Sequence, residues 1–109
     1  MDWDKAEKRR FVRANFDCKI IIHTPKEHII ISHTENIGVG GVRVFVDEKL
    51  NISSEVGLEI YLGQSPISCK GKIAWVVERA DRFDTGIEFL EISEKDERVI
   101  SNIVENIVS

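Results

Sequence analysis

A chain of 109 residues, 42% apolar and 31% charged, is long enough for one core and too apolar for a disordered segment. Its formal net charge is −4, from 15 Lys and Arg against 19 Asp and Glu. No apolar run approaches the roughly 18–20 residues of a membrane span, and no apolar stretch follows the N-terminal charges as a secretory signal would require.

The charge is unevenly placed. Lys5, Lys8, Arg9, Arg10 and Arg13 fall within the first 13 residues, and the remainder holds 10 basic and 16 acidic residues. A basic arm over residues 1–13 therefore precedes an anionic body over residues 14–109. A small cationic cluster of this kind suits a compact anion. A nucleic-acid polymer is the less expected partner, because its binders spread positive charge over a whole face.

Along the body the apolar residues alternate. Phe16, Cys18, Ile20 and Ile22 interleave with Asp17, Lys19, Ile21 and His23. Thr24-Pro25-Lys26-Glu27 breaks the run as a turn, and a β-branched run resumes from His28 to Ser32. Gly38, Gly40 and Gly41 interrupt the chain before Val42, Val44 and Val46 alternate with Arg43, Phe45 and Asp47. Val56, Leu58, Ile60 and Leu62 mark a further strand, closed by Gln64-Ser65-Pro66. A long strand places Ile67, Cys69, Ile73, Trp75 and Val77 on one face, with Gly71 as a bulge or bend in its middle. Phe83, Thr85, Ile87 and Phe89 then alternate with Asp84, Gly86 and Glu88. The period of two predicts sheets with one wet face.

At the C-terminus the period changes. Ser93 reads as an N-cap, and Glu94, Asp96 and Glu97 suit the positive end of a helix. Val99, Ile100, Ile103, Val104, Ile107 and Val108 form one apolar stripe. Six antiparallel strands with no helix between them predict an all-β fold, a small closed barrel with a C-terminal helix against its open end or flank.

Two constellations carry chemistry. In Lys8-Arg9-Arg10-Phe11-Val12-Arg13, each guanidinium can hold a phosphate bidentately, stack on a base or grip the O6/N7 edge of guanine. In Thr34-Glu35-Asn36-Ile37-Gly38-Val39-Gly40-Gly41, a tight connection between strands, glycine permits positive φ and a close approach of backbone N–H groups to a ligand. Taken singly, the first also reads as a solvated basic start and the second as a glycine hairpin.

Together the motifs resemble those of the PilZ domain family. Arg9 to Arg13 fits its R-x-x-x-R signature, and Asn36 to Gly41 fits [D/N]-x-S-x-x-G at every fixed position except Gly38, where serine is expected. The order of motifs, Trp75 and Gly86-Ile87-Glu88-Phe89 agree as well. The resemblance implies a six-stranded antiparallel barrel with a C-terminal helix, and a cytoplasmic bacterial receptor for cyclic di-GMP. It assigns Arg9 and Arg13 to the phosphates and guanine edges, with Arg10 alongside. Asn36 meets a guanine, Gly38 stands at the serine position, Gly41 allows the close turn, and Lys8 reaches toward a second ligand molecule. The implied protein has no catalytic activity and no cofactor beyond this ligand. It acts through an unidentified protein effector, as a monomer or weak homodimer. The alternative is a PilZ-type protein–protein adaptor that has lost the ligand with the serine.

Other residues are read as structural. His23, His28 and His33 repeat with Cys18 every five residues, and an odd spacing alternates strand faces, which argues against a metal site. Trp75 and Phe89 read as core, and Asp81 and Asp84 as turn residues. No nucleophile–base pair is recognisable. Two cysteines are too few for a disulfide scaffold, consistent with reduced thiols in the cytoplasm.

Overall fold

A computed structural model describes residues 13–63 and 65–108. Arg9 and Arg10, like Lys8, lie outside the described residues; Arg13 is within them. In chain order the elements are β1 (Ala14–Asn15), β2 (Lys19–His23), β3 (Ile29–Gly38), β4 (Gly41–Val46), β5 (Glu55–Ile60), β6 (Ile67–Glu78), β7 (Phe83–Glu91) and α1 (Glu94–Val108). The strands hydrogen-bond in the order β3-β2-β5-β6-β7-β4, and a β3–β4 pairing closes the ring. This is the expected six-stranded antiparallel barrel, with β1 as an extra strand on β3.

Alternation explains closure. Ile20, Ile22, Val42, Val44, Leu58 and Ile60 point inward and are almost wholly buried, while their neighbours along each strand face out. Closure through Thr34 to Gly38 of β3 satisfies the part of the strand edges that an open sheet would leave to water there. Gly71 lies at a register shift of the β6–β7 ladder, as expected. A Cβ there would stand 2.6 Å from Ile87 Cγ2, so the inward position has no room for a side chain.

Ser93 caps α1: its hydroxyl accepts the Asp96 N–H at 3.1 Å. The helix packs on β3 and β1, burying Ile100 and Val104, while Val99 and Ile107 on the flanks of the stripe stay exposed. No helix among the described residues is long and apolar enough to cross a membrane.

Four expectations are corrected. The second expected strand runs on through Gly38, so that residues 34–38 are strand and the connection shrinks to Val39-Gly40. The polar run continues the sheet because Thr34 is fully buried yet satisfied: it accepts the Cys18 N–H at 3.1 Å and donates to the Phe16 carbonyl. Trp75 is 39% exposed rather than core, because a bulge between Ile73 and Trp75 reverses the alternation, whereas Phe89 is buried as expected. Asp84 lies within β7 and is 2% exposed, so it is no turn residue. Finally, no glycine has positive φ among the described residues; Glu27 and Ser53 take that conformation, with φ of 63° and 74°.

Candidate ligand-binding site

The corner where β1 meets the β3–β4 hairpin gathers four of the sequence-predicted residues, Arg13, Asn36, Gly38 and Gly41. Buried Ala14 pairs with Ile37, and Asn15 with Asn36, which fixes the chain just after Arg13. From that anchor Arg13 Nη1 donates to Asn36 Oδ1 at 3.2 Å and to the Gly41 carbonyl at 3.4 Å. Both acceptors are neutral, and no carboxylate among the described residues pairs with this guanidinium. Partial burial against the hairpin lowers the Arg13 pKa from the usual arginine value, although the residue as a whole stays exposed.

The glycines serve proximity rather than unusual dihedrals. Gly38 pairs with Gly41 across the hairpin. A Cβ on Gly41 would fall 2.2 Å from the Ile87 carbonyl oxygen, so β7 backbone lies directly against this position. The adjacent Gly40 carbonyl accepts the Phe89 N–H at 2.9 Å.

Register extends the corner into a row. Asn36 pairs with Arg43, Arg43 with Gly86, and Gly86 with Trp75. Directly paired residues share a face, so these four line one outward strip. Trp75 lies flat across Gly86, where a Cβ would meet indole Nε1 at 2.2 Å. Glycine at 86 is what lets the ring lie there.

Arg43 is held by Asp84 through two bonds of 2.8 Å, from Nε and Nη2, while Arg79 Nη2 donates to the same carboxylate at 3.1 Å. The Arg43 hydrogen bonds are the largest influence on Asp84 and pull its pKa down; burial opposes them, and Arg79 adds to the lowering. Arg43 is raised in turn by the same bonds. Arg82 stacks over Phe45 beside this network, 3.8 Å from the ring centroid.

Arg43 and the Arg79–Asp84 contact were not among the sequence-predicted site residues. A signal for Arg43 was present: a two-residue turn at Val39-Gly40 sets Gly38 against Gly41, and counting back two pairs along the hairpin brings Arg43 beside Asn36, before the bulge is reached.

The three histidines form separate pairs with acids. His23 bonds Glu59, His28 bonds Glu48, and His33 bonds Asp17. No cluster of three or more metal-ligating side chains occurs among the described residues. Burial, then the charge of Asp96, pushes the Cys69 thiol up to about 11, so it stays protonated at neutral pH.

Comparison with known proteins identifies the scaffold. The PilZ domain family matches residues 7–106. The chain belongs to the PilZ domain family. An uncharacterized protein of Aquifex aeolicus (strain VF5) is 31% identical over 99 residues, spanning 90% of this chain and 48% of that relative. The inhibitor of motility MotI/DgrA of Bacillus subtilis superposes with a TM-score of 0.79 at 19% identity, over 91% of this chain and 50% of that one. The PilZ domain of YcgR from Escherichia coli, solved with c-di-GMP, superposes at 0.76 with 14% identity, over 92% and 91% of the two chains. This PilZ chain thus spans about half the length of the Aquifex and Bacillus proteins.

Proposed function

We propose that this PilZ domain is a cyclic di-GMP receptor and adaptor in bacterial second-messenger signalling. Its ligand clamps the arm at residues 1–13 onto the barrel and changes the surface that a protein effector meets. The observation that carries this reading is the meeting of the two signatures: the last arginine of R-x-x-x-R rests on the asparagine and the final glycine of the second motif. Among the described residues this guanidinium meets only neutral acceptors, and such a fork of charged donors is prepared for an anion.

In this reading Arg9 and Arg13 bind the phosphates and guanine edges, and Arg10 stacks or pairs alongside. Asn36 hydrogen-bonds a guanine, while Gly38 and Gly41 keep the hairpin open to close approach. The exposed indole of Trp75 lies three strands from Asn36, roughly 14 Å at the usual strand spacing. That strip offers one face along which an extended dinucleotide can lie. Ligand binding ties arm to barrel, so effector recognition becomes a shift between tied and untied populations.

Calorimetric titration with cyclic di-GMP tests the assignment. Arg13→Ala and Arg9→Ala each remove charged hydrogen bonds of about 1.5–3 kcal/mol, or roughly ten- to a hundredfold in affinity. Equal binding by wild type and both variants overturns the arginine roles.

One observation favours a second reading. Gly38 supplies no hydroxyl where the family signature has serine, as expected of an adaptor that binds protein without ligand. A wild-type titration without heat at high micromolar cyclic di-GMP selects that reading.

A further inference from the structure

β3 and β4 pair along only part of their length. Their last shared rung is Thr34 with Val44. Beyond it the strands splay: residues 29–33 keep their pairing with β2, and Phe45 and Val46 keep theirs with β7. The gap is a slot of about 350 Å³ with residues 29–32 on one wall and 45–48 on the other. Two contacts span it. Ser32 Oγ donates to the Phe45 carbonyl at 2.6 Å near the closed end, and His28 bonds Glu48 at the open end.

The β3 wall is an unguarded strand edge. Thr34 N–H bonds the Cys18 carbonyl and the His28 carbonyl accepts Thr24 N–H, so the even-numbered residues turn their peptide groups toward the β2 side. By alternation, the amides and carbonyls of Ile29 and Ile31 face the slot, where no strand among the described residues pairs with them. Sheet edges are usually protected by Lys, Pro or a bulge. Here the edge reads Ile29-Ile30-Ile31-Ser32, with Ile29 54% and Ile31 61% exposed. The slot's charged lining residues are both acidic, Asp47 and Glu48. Arg82 covers Phe45 from outside and has its own acid, Asp81, at 3.8 Å.

We propose that this slot is a docking site for an extended segment of a partner protein. The segment adds as a strand beside residues 29–31, with apolar side chains alternating with basic ones that reach Asp47 and take the place of His28 on Glu48. Backbone pairing supplies affinity in this mode, and the acidic wall selects the sign of the partner. The volume lies near the lower end of the roughly 300–1,000 Å³ of small-ligand pockets, which suits one short strand and not a globular surface. This inference names the effector surface of the receptor proposed above and rests on that reading for its setting.

The test uses the full chain and two capped hexapeptides, one alternating lysine with valine and one alternating glutamate with valine, read by amide hydrogen exchange and by titration. The lysine peptide is expected to bind saturably and to protect the Ile29 and Ile31 amides, and the glutamate peptide to do neither. Ile31→Lys, at a solvent-facing position that leaves the core untouched, is expected to lose the peptide and keep wild-type circular dichroism and wild-type cyclic di-GMP affinity. Asp47→Asn with Glu48→Gln is expected to weaken the lysine peptide about two- to fivefold, the weight of exposed ion pairs. Equal protection by both peptides, protection confined to other strands, or wild-type peptide binding by Ile31→Lys overturns the site. Peptide binding without cyclic di-GMP binding leaves the slot standing and removes the receptor reading. Cyclic di-GMP binding without peptide binding removes the slot alone.

Discussion

Replacing Asp84 by Asn tests whether the row beside the candidate site is held by a buried charge. The carboxylate is 2% exposed and takes three guanidinium bonds, two of 2.8 Å from Arg43 and one of 3.1 Å from Arg79. Asn keeps the shape but turns an amide NH2 toward a cation. Breaking a buried pair costs roughly 3–5 kcal/mol. Arg43 and Arg79 are 36% and 53% exposed, so water partly recovers them, and the expected loss falls to about 2–3 kcal/mol. With a urea slope of roughly 1–3 kcal/mol per M, the unfolding midpoint drops by about 0.7–3 M. The pH dependence identifies the cause. Asp84 titrates below its ordinary 3.8 in the folded state, so its contribution is complete above the unfolded value and disappears as pH falls through the lower folded value. The gap between wild type and Asp84→Asn in urea melts is therefore constant from about pH 5 to 8 and closes below about pH 4. A variant as stable as wild type at pH 7, or a gap undiminished at pH 2, refutes the argument.

Gly41→Ala drives a methyl to 2.2 Å from the Ile87 carbonyl, and overpacking against backbone is expected to cost about 1–3 kcal/mol in a urea melt and to weaken cyclic di-GMP binding. An unchanged melt refutes the close-approach account of this glycine. Gly38→Ser restores the hydroxyl of the signature and is expected to tighten cyclic di-GMP by up to roughly ten- to a hundredfold in calorimetry; unchanged affinity shows that the hydroxyl finds no ligand atom here.

Interior and exterior were legible wherever alternation ran unbroken, as from Val42 to Val46 and from Val56 to Ile60, because a period of two assigns every side chain to a face. Legibility failed at the bulges. One extra residue between Ile73 and Trp75 reverses the face of everything beyond it, and no local signal in that stretch announces it. The sequence shortens β3 because His33, Thr34, Glu35 and Asn36 are polar, and the buried bonds that tolerate Thr34 come from Phe16 and Cys18 on another segment. Asp84 was misplaced for a related reason: its main partner is 41 positions away, and only the β4–β7 register brings the two together. At the candidate site, pattern alone left both motifs with ordinary readings. The family signature paired them, and the contact of Arg13 with Asn36 and Gly41 is the spatial form of that pairing among the described residues.

The same two strands frame the arm corner and the slot. β3 carries Asn36 near one end and Ile29 at the other, and β4 carries Gly41 at its start and Phe45 beside the slot. Between them runs the short ladder from Gly38–Gly41 to Thr34–Val44, interrupted by one bulge that Thr34 pins with buried hydrogen bonds. A ligand held between Arg13 and the hairpin tip that it already touches therefore acts on both walls of the slot through shared backbone. Such coupling has a defined size only if one splay of β3 from β4 binds the ligand better than another. Linkage then makes it reciprocal: whatever factor cyclic di-GMP imposes on the affinity of a strand in the slot, that strand imposes on cyclic di-GMP. Unequal factors in the two titrations are incompatible with a single shared hairpin equilibrium, and factors of one in both mean that the ladder between the sites does not move.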